Sequence, residues 1–231
     1  MRYGHELHPH RGSWLREVVF GLNDGLVTTL VFVLAISAVA HPQIVVIALG
    51  ELFAGGVSMG LGGYLSARTE RAILRQRIAT ERYEITHEPD EERSELRRIY
   101  QAKGFRGPLL DRLIRHLTAD NERWLEAMIR DELGVTRENA ERPQWLQGVL
   151  IGGSFMVGAF VPILPFLLSL SLPWLWAYGL TVVAAIALGV VEARYTLQGP
   201  LGNALEFLGI VTLGALGGLA ISTLLRLIAG G

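Results

Sequence analysis

The sequence predicts an all-α membrane protein: a five-span helical bundle with a cytosolic helical domain inserted between its second and third spans. Three observations carry that expectation. Half of the 231 residues are apolar, yet 43 are charged. The charges are segregated, with 31 of the 43 (16 acids and 15 bases) lying between Glu70 and Arg142. The remainder resolves into five apolar runs, each near or above the ~20 residues a helix needs to cross a bilayer. No strand pattern competes.

The runs cover residues 18–40, 43–67, 145–171, 174–194 and 201–228. The chain is thereby divided into an N-terminal tail (1–16), spans one and two (17–69), the charged domain (70–143) and spans three to five (144–231). "HPQ" links the first two spans and "SLPW" the third and fourth, and neither linker holds Lys or Arg. The tail carries Arg2, Arg11 and Arg16, and the fourth-to-fifth connection begins at Arg194. The positive-inside rule then puts the tail, the charged domain and the last loop in the cytosol, with Arg226 alone pulling the other way. The expected setting is multi-pass, in a bacterial inner membrane. The first run follows a polar tail and is too long for a cleavable signal core.

Acids match bases throughout the charged block, which argues against a nucleic-acid partner. Cysteine is absent, excluding disulfides, thiolate metal sites and cysteine nucleophiles. The second span has no stop at Ser66, because "SARTERAILRQRIATERYEI" continues with helix formers until Pro89. Pro89 suits the first position of a helix closed by Gly104, Pro108 starts another, and Asp120 can cap a further one ended by Gly134. The expected core of this domain is Ile85, Leu96, Ile99, Leu113, Leu117, Trp124, Leu125 and Leu133. In spans two and five, "AGGVSMGLGG" and "GIVTLGALGG" put small residues at helix-packing spacing. Pro162 and Pro165 are expected to kink the third span.

The first span contains Asp24 and the second Glu51 and Met59. A carboxylate deep in a bilayer costs about 2.5–3.5 kcal/mol on insertion scales, so two of them point to function. The rise of a helix staggers the three in depth, with Met59 innermost, Asp24 near the middle and Glu51 farther out. Carboxylates beside a thioether suit Fe²⁺ or Mn²⁺ better than Mg²⁺ or Ca²⁺. Buried carboxyls also take up protons when metal leaves, so metal–proton exchange follows as an expectation.

In the charged domain, Glu81/Glu84 and Glu92/Glu95 are ExxE pairs, each on one helix face. "EAMIRDELG" offers Glu126, Met128, Asp131 and Glu132 within two turns, with Met128 and Glu132 as neighbours. The competing reading of these acids is a solvated helix face. "HELHPH" groups His5, His8 and His10 without the zinc-protease spacing, and reads as an idle tail or a metal catcher. His87 could add a ligand. Glu192, Gln198, Asn203 and Glu206 cluster at the last loop without an assigned role.

"GLNDGLVTTLVFVLAIS" and "ELFAGGVSMGLGGYLSARTE" resemble the paired membrane motifs of the vacuolar iron transporter family. With five spans and the inserted domain, the resemblance covers nearly the whole chain. It implies a homodimer that moves Fe²⁺ or Mn²⁺ out of the cytosol against protons, along a path near the dimer axis. By motif, Asp24, Glu51 and Met59 match the family's path residues. Glu81, Glu84, Glu92, Glu95 and Glu132 match its cytosolic metal-binding glutamates. Met128 matches one of two adjacent methionines, and Ile129 stands at the other position. Glu17 is a further candidate for the cytosolic mouth. No prosthetic group and no enzymatic activity are expected. An intramembrane aspartyl protease needs two membrane aspartates, and a di-metal oxidase would use a pair of Glu-x-x-His helices, whereas the chain has the motif once, at Glu84 and His87. The remaining alternative is a membrane-anchored metal sensor or storage module.

Overall fold

The computed structural model describes residues 11–37, 43–134, 143–196 and 199–229. His5, His8, His10 and Gln198 lie outside them. The described residues form eight helices and no strand: α1 (Arg11–Ile36), α2 (Ile44–His87), α3 (Pro89–Ala102), α4 (Gly107–Leu117), α5 (Asn121–Asp131), α6 (Gln144–Leu167), α7 (Pro173–Thr196) and α8 (Pro200–Ala229). Five of these, α1, α2, α6, α7 and α8, are long and apolar enough to cross a membrane. The all-α class and the five spans are as the sequence predicts. The chain forms two compact units, Met1–Leu65 with Gln144–Gly231, and Ser66–Pro143, and α2 supplies residues to both.

Two boundaries differ from the apolar runs. The helix of the first span begins upstream of residue 18, at Arg11, because nothing in "RGSWLRE" breaks it. The third ends at Leu167, short of the apolar limit at 171. Ser169 (φ 51°) and Leu172 (φ 53°) adopt left-handed backbone there, which a helix cannot propagate. Pro173 then opens α7. Pro162 and Pro165 lie inside α6, which continues past both.

The spanning unit is built around Leu30, Val33 and Leu34 of α1, Ala48 and Leu52 of α2, and Phe155, Ala159 and Ile163 of α6. Its helices meet backbone to backbone. A Cβ on Gly152 would lie 2.5 Å from the Gly56 carbonyl oxygen, and one on Gly148 would lie 2.6 Å from that of Gly60. On the α1 side, a Cβ on Gly25 would collide with the Phe155 carbonyl. Small residues permit this approach, and the resulting dispersion contact replaces the hydrophobic drive that lipid removes. The register of α1, α2 and α6 is fixed by it.

The second unit has a conventional water-soluble core. Asp120 caps α5 by accepting from the Arg123 amide at 2.9 Å. Gly104 (φ 95°) takes the left-handed conformation just past α3 that a side chain would disfavour. Ile85, Leu96, Trp124 and Leu125 are buried with Tyr100, Leu110, Ile114, Ala127, Met128 and Ile129, while Leu113, Leu117 and Leu133 pack around them. Ile99 is only half-buried, because the inward stripe of α3 runs Glu92–Leu96–Tyr100 at four-residue spacing. Asp131 ties the unit together. Its carboxylate accepts from the Tyr100 hydroxyl at 2.6 Å and pairs with Lys103 and Arg130. Burial alone would raise its pKa, but the hydrogen bonds from Arg130, Lys103 and Tyr100 outweigh it and hold the group at about 2.

Candidate metal sites

Glu81 and Ile85 share the inward face of α2, and Glu92 heads the inward stripe of α3. Glu81, Glu84 and Glu92 consequently bring one carboxylate oxygen each to within 4.8 Å of one another. Glu81 is 6% exposed and Glu92 7%, and an oxygen of each, Oε2, is buried without a hydrogen-bond partner. Burial chiefly, then the charges of Glu132 and neighbouring glutamates, pushes Glu81 up to about 7. Glu92 is likewise pushed up to about 7, by burial and then by Glu84, Glu95, Glu132 and Glu88. Glu132 caps the C-terminus of α5 and is raised by burial and by Glu95 and Glu84, against a hydrogen bond shared with Glu81. Glu81, Glu84, Glu92, Glu95 and Glu132 therefore form one electrostatic group.

Cations that could neutralise the group are mostly engaged elsewhere. Arg82 pairs with Glu122, Arg93 with Asp90 and Arg97 with Asp111. Arg98 reaches Glu95 at 3.6 Å, on an exposed edge. Converging carboxylates, two of which also carry a buried, unpartnered oxygen, could serve as a donor set for a divalent cation. Other candidates fall outside it. Met128 is at zero exposure within the apolar cluster, one helical turn before Glu132. Glu126 faces solvent, and Asp131 is engaged by its three donors. His87 stacks on Tyr83 (centroids 3.9 Å apart) with Nδ1 2.9 Å from the Tyr83 carbonyl. Glu88, whose field reaches Glu92, was not singled out from the sequence, because a lone acid before a proline looks like an ordinary helix start.

The spanning unit holds the second set. Gly25 abuts the Phe155 backbone and Gly55 its ring, and four residues later on α1 Thr29 meets Glu51, four residues earlier on α2, as antiparallel helices would. The Thr29 hydroxyl donates to Glu51 Oε2 at 2.8 Å, and the Thr28 hydroxyl donates to Asp24 Oδ1 at 3.2 Å. Glu51 is thus level with Thr29, five residues or about 7.5 Å along α1 from Asp24. Met59 lies eight residues, about 12 Å, further along α2 from Glu51. All three are half-buried, and Met59 packs against the apolar core. Asn23 adds a buried amide oxygen with no partner beside Asp24. Glu17, 3% exposed, lies two turns before Asp24. Glu192 is half-buried, Glu206 is exposed, and Asn203 is buried with its backbone close against Gly189. Neither Thr28 nor Thr29 was singled out from the sequence. The available signal was a pair of hydroxyls at four- and five-residue spacing from the acid, "DGLVTT".

Known proteins resemble the chain along most of its length. Vacuolar iron transporter 1 of Oryza sativa subsp. japonica is 33% identical over 217 residues, covering 88% of this chain and 84% of that protein. Vacuolar iron transporter 1 of Arabidopsis thaliana is 28% identical over 216 residues, covering 89% and 84%. The vacuolar iron transporter of Plasmodium falciparum is 26% identical, covering 83% and 74%. A family model described as the VIT family matches residues 15–223, a range that takes in both sets of acids. With that extent of match, the chain belongs to the VIT family.

Proposed function

We propose that the chain is a secondary transporter carrying a divalent transition metal, Fe²⁺ foremost and Mn²⁺ as a second cargo, out of the cytosol in exchange for protons. The observation that carries this reading is the placement of Asp24 and Glu51 on facing, membrane-length helices, each carboxylate held by a threonine hydroxyl. Charge at that depth is costly, and membrane proteins use it chiefly where ions or protons pass. The relatives' names supply the metal.

In this reading the N-terminus and the charged unit face the cytosol. Glu81, Glu84, Glu92, Glu95 and Glu132 collect the ion, with the thioether of Met128 as an inner ligand if the core opens to it. Met59, Asp24 and Glu51 then hand it across, and protons take the vacated carboxylates. Two copies form a homodimer, with the path near its axis, in a bacterial inner membrane or a vacuolar membrane. A membrane-anchored sensor would need the cytosolic glutamates but has no use for Asp24 and Glu51. Purified protein in vesicles of known orientation, loaded with an Fe²⁺ reporter and a pH dye, tests the proposal. The expected result is metal flux with opposing proton movement. Metal binding without flux would leave the sensor, and flux without proton movement would leave a channel.

A further inference from the structure

In the spanning helices α7 and α8, threonine hydroxyls bond to their own backbone. Thr181 donates to the Ala177 carbonyl at 2.7 Å, Thr212 to Leu208 at 2.8 Å and Thr223 to Leu219 at 2.9 Å. Ser154 of α6 does the same with Leu150 and Ile151. This is the default for a hydroxyl in a helix without water, since the carbonyl four residues back is always within reach. Thr28 and Thr29 depart from it together, each turning its hydroxyl to a carboxylate. Thr29 is fully buried, and its bond crosses from α1 to α2. Its Cγ2 methyl and branched Cβ also restrict χ1, so the hydroxyl is aimed by a side chain with few alternatives.

We propose that Thr29 is a positioning residue for the ion path, fixing the Glu51 carboxylate from the neighbouring helix so that its other oxygen, Oε1, stays available to the ion. The inference rests on the reading of Glu51 as a path ligand. A glutamate has three rotatable bonds, and an untethered one samples several rotamers. One donor at 2.8 Å on Oε2 selects a single orientation and occupies one oxygen. The restraint also makes the carboxylate's position depend on the register of α1 against α2, which the close contacts of Gly25 and Gly55 with Phe155 already set.

The test compares Thr29→Val, Thr29→Ser and Glu51→Gln in reconstituted vesicles, measuring initial rates over a range of Fe²⁺. Valine keeps the volume and branching but removes the donor; serine keeps the donor. Loss of one hydrogen bond to a charged group corresponds to roughly a tenfold change in binding. Thr29→Val is expected to raise KM about tenfold with a much smaller change in kcat, and Thr29→Ser to restore KM. A uniform fall in activity for both variants would mean that Thr29 only packs. Thr29→Val with parental KM and kcat, alongside an inactive Glu51→Gln, would overturn the positioning role and leave the path intact. Parental transport by Glu51→Gln would remove the path reading itself. Thermal unfolding of each variant in detergent separates these outcomes from misfolding.

Discussion

The two units treat their acids in opposite ways. In the spanning unit Asp24 and Glu51 sit on different helices, each with a hydroxyl donor. In the other unit Glu81, Glu84 and Glu92 crowd to within 4.8 Å, and the buried oxygens of Glu81 and Glu92 have no donor. Separation with one weak donor makes a place an ion can enter and leave. Crowding with two oxygens left unpartnered makes a place that a bound cation would stabilise. The packing differs in parallel: glycine backbones in close contact in one unit, a mixed apolar core with a capped helix in the other. The proposed roles of transit and collection ask for different electrostatics, and the two acid sets differ in that sense.

The sharpest way to break this comparison is at Asp24. Asp24→Asn keeps volume and polarity but removes the charge, and vesicle flux should fall to background while the protein elutes from a sizing column unchanged. Parental Fe²⁺ uptake would make Asp24 structural. The next effect is on packing. Gly152→Ala places a methyl 2.5 Å from the Gly56 carbonyl oxygen, whereas a Cβ on Gly153 meets nothing within 4 Å. Overpacking of this kind costs about 1–3 kcal/mol, so Gly152→Ala should unfold at a visibly lower temperature and Gly153→Ala should not. Equal melting curves would mean that the glycine seam carries no stability.

Glu81→Ala with Glu84→Ala tests collection. Calorimetric metal binding should weaken by an order of magnitude or more, and transport should slow at low metal yet recover at saturating metal. Loss of flux at saturation would place these glutamates in the path rather than before it. The smallest effect is on pH dependence. Glu81 and Glu92 have folded-state values of about 7, above the ordinary 4.5. Their contribution to metal-free stability is full below 4.5 and is lost as pH rises through about 7. Metal competes with the same protons, so affinity should fall as pH drops through that value. Glu92→Gln should flatten the metal-free stability profile between pH 5 and 8. An unchanged slope would show that the crowding is relieved by solvent.

Long apolar runs made the spans legible, and the absence of Gly or Pro after Ser66 made the continuation of α2 legible. Asp120, Pro89 and Gly104 announced their helix ends because each does something at a terminus that other residues do poorly. The ExxE spacing gave the glutamate faces, but not which ones turn inward. That depended on α3 aligning Glu92 with Leu96 and Tyr100, a phase that a short charged helix barely encodes. Met128 was read as a ligand and not among the expected core residues, and only packing shows it at zero exposure. Thr29 was invisible for a different reason. Its partner is 22 residues away on another helix, and a threonine in an apolar run normally bonds to its own backbone.

Asp131 carries one further consequence. Its carboxyl stays ionised until about pH 2, while Glu81 and Glu92 change charge near 7. Because its value is lowered, its contribution is present above the ordinary 3.8 and is lost only as pH falls through about 2. Five pH units separate the clasp from the glutamate cluster, although Asp131 and Glu132 are consecutive residues. If the glutamates hold metal as proposed, mild acid would release it without opening the fastening, and circular dichroism should stay flat from pH 7.5 to 5. On that reading the unit would let go like a hand whose wrist does not bend, ready to load again as the pH returns.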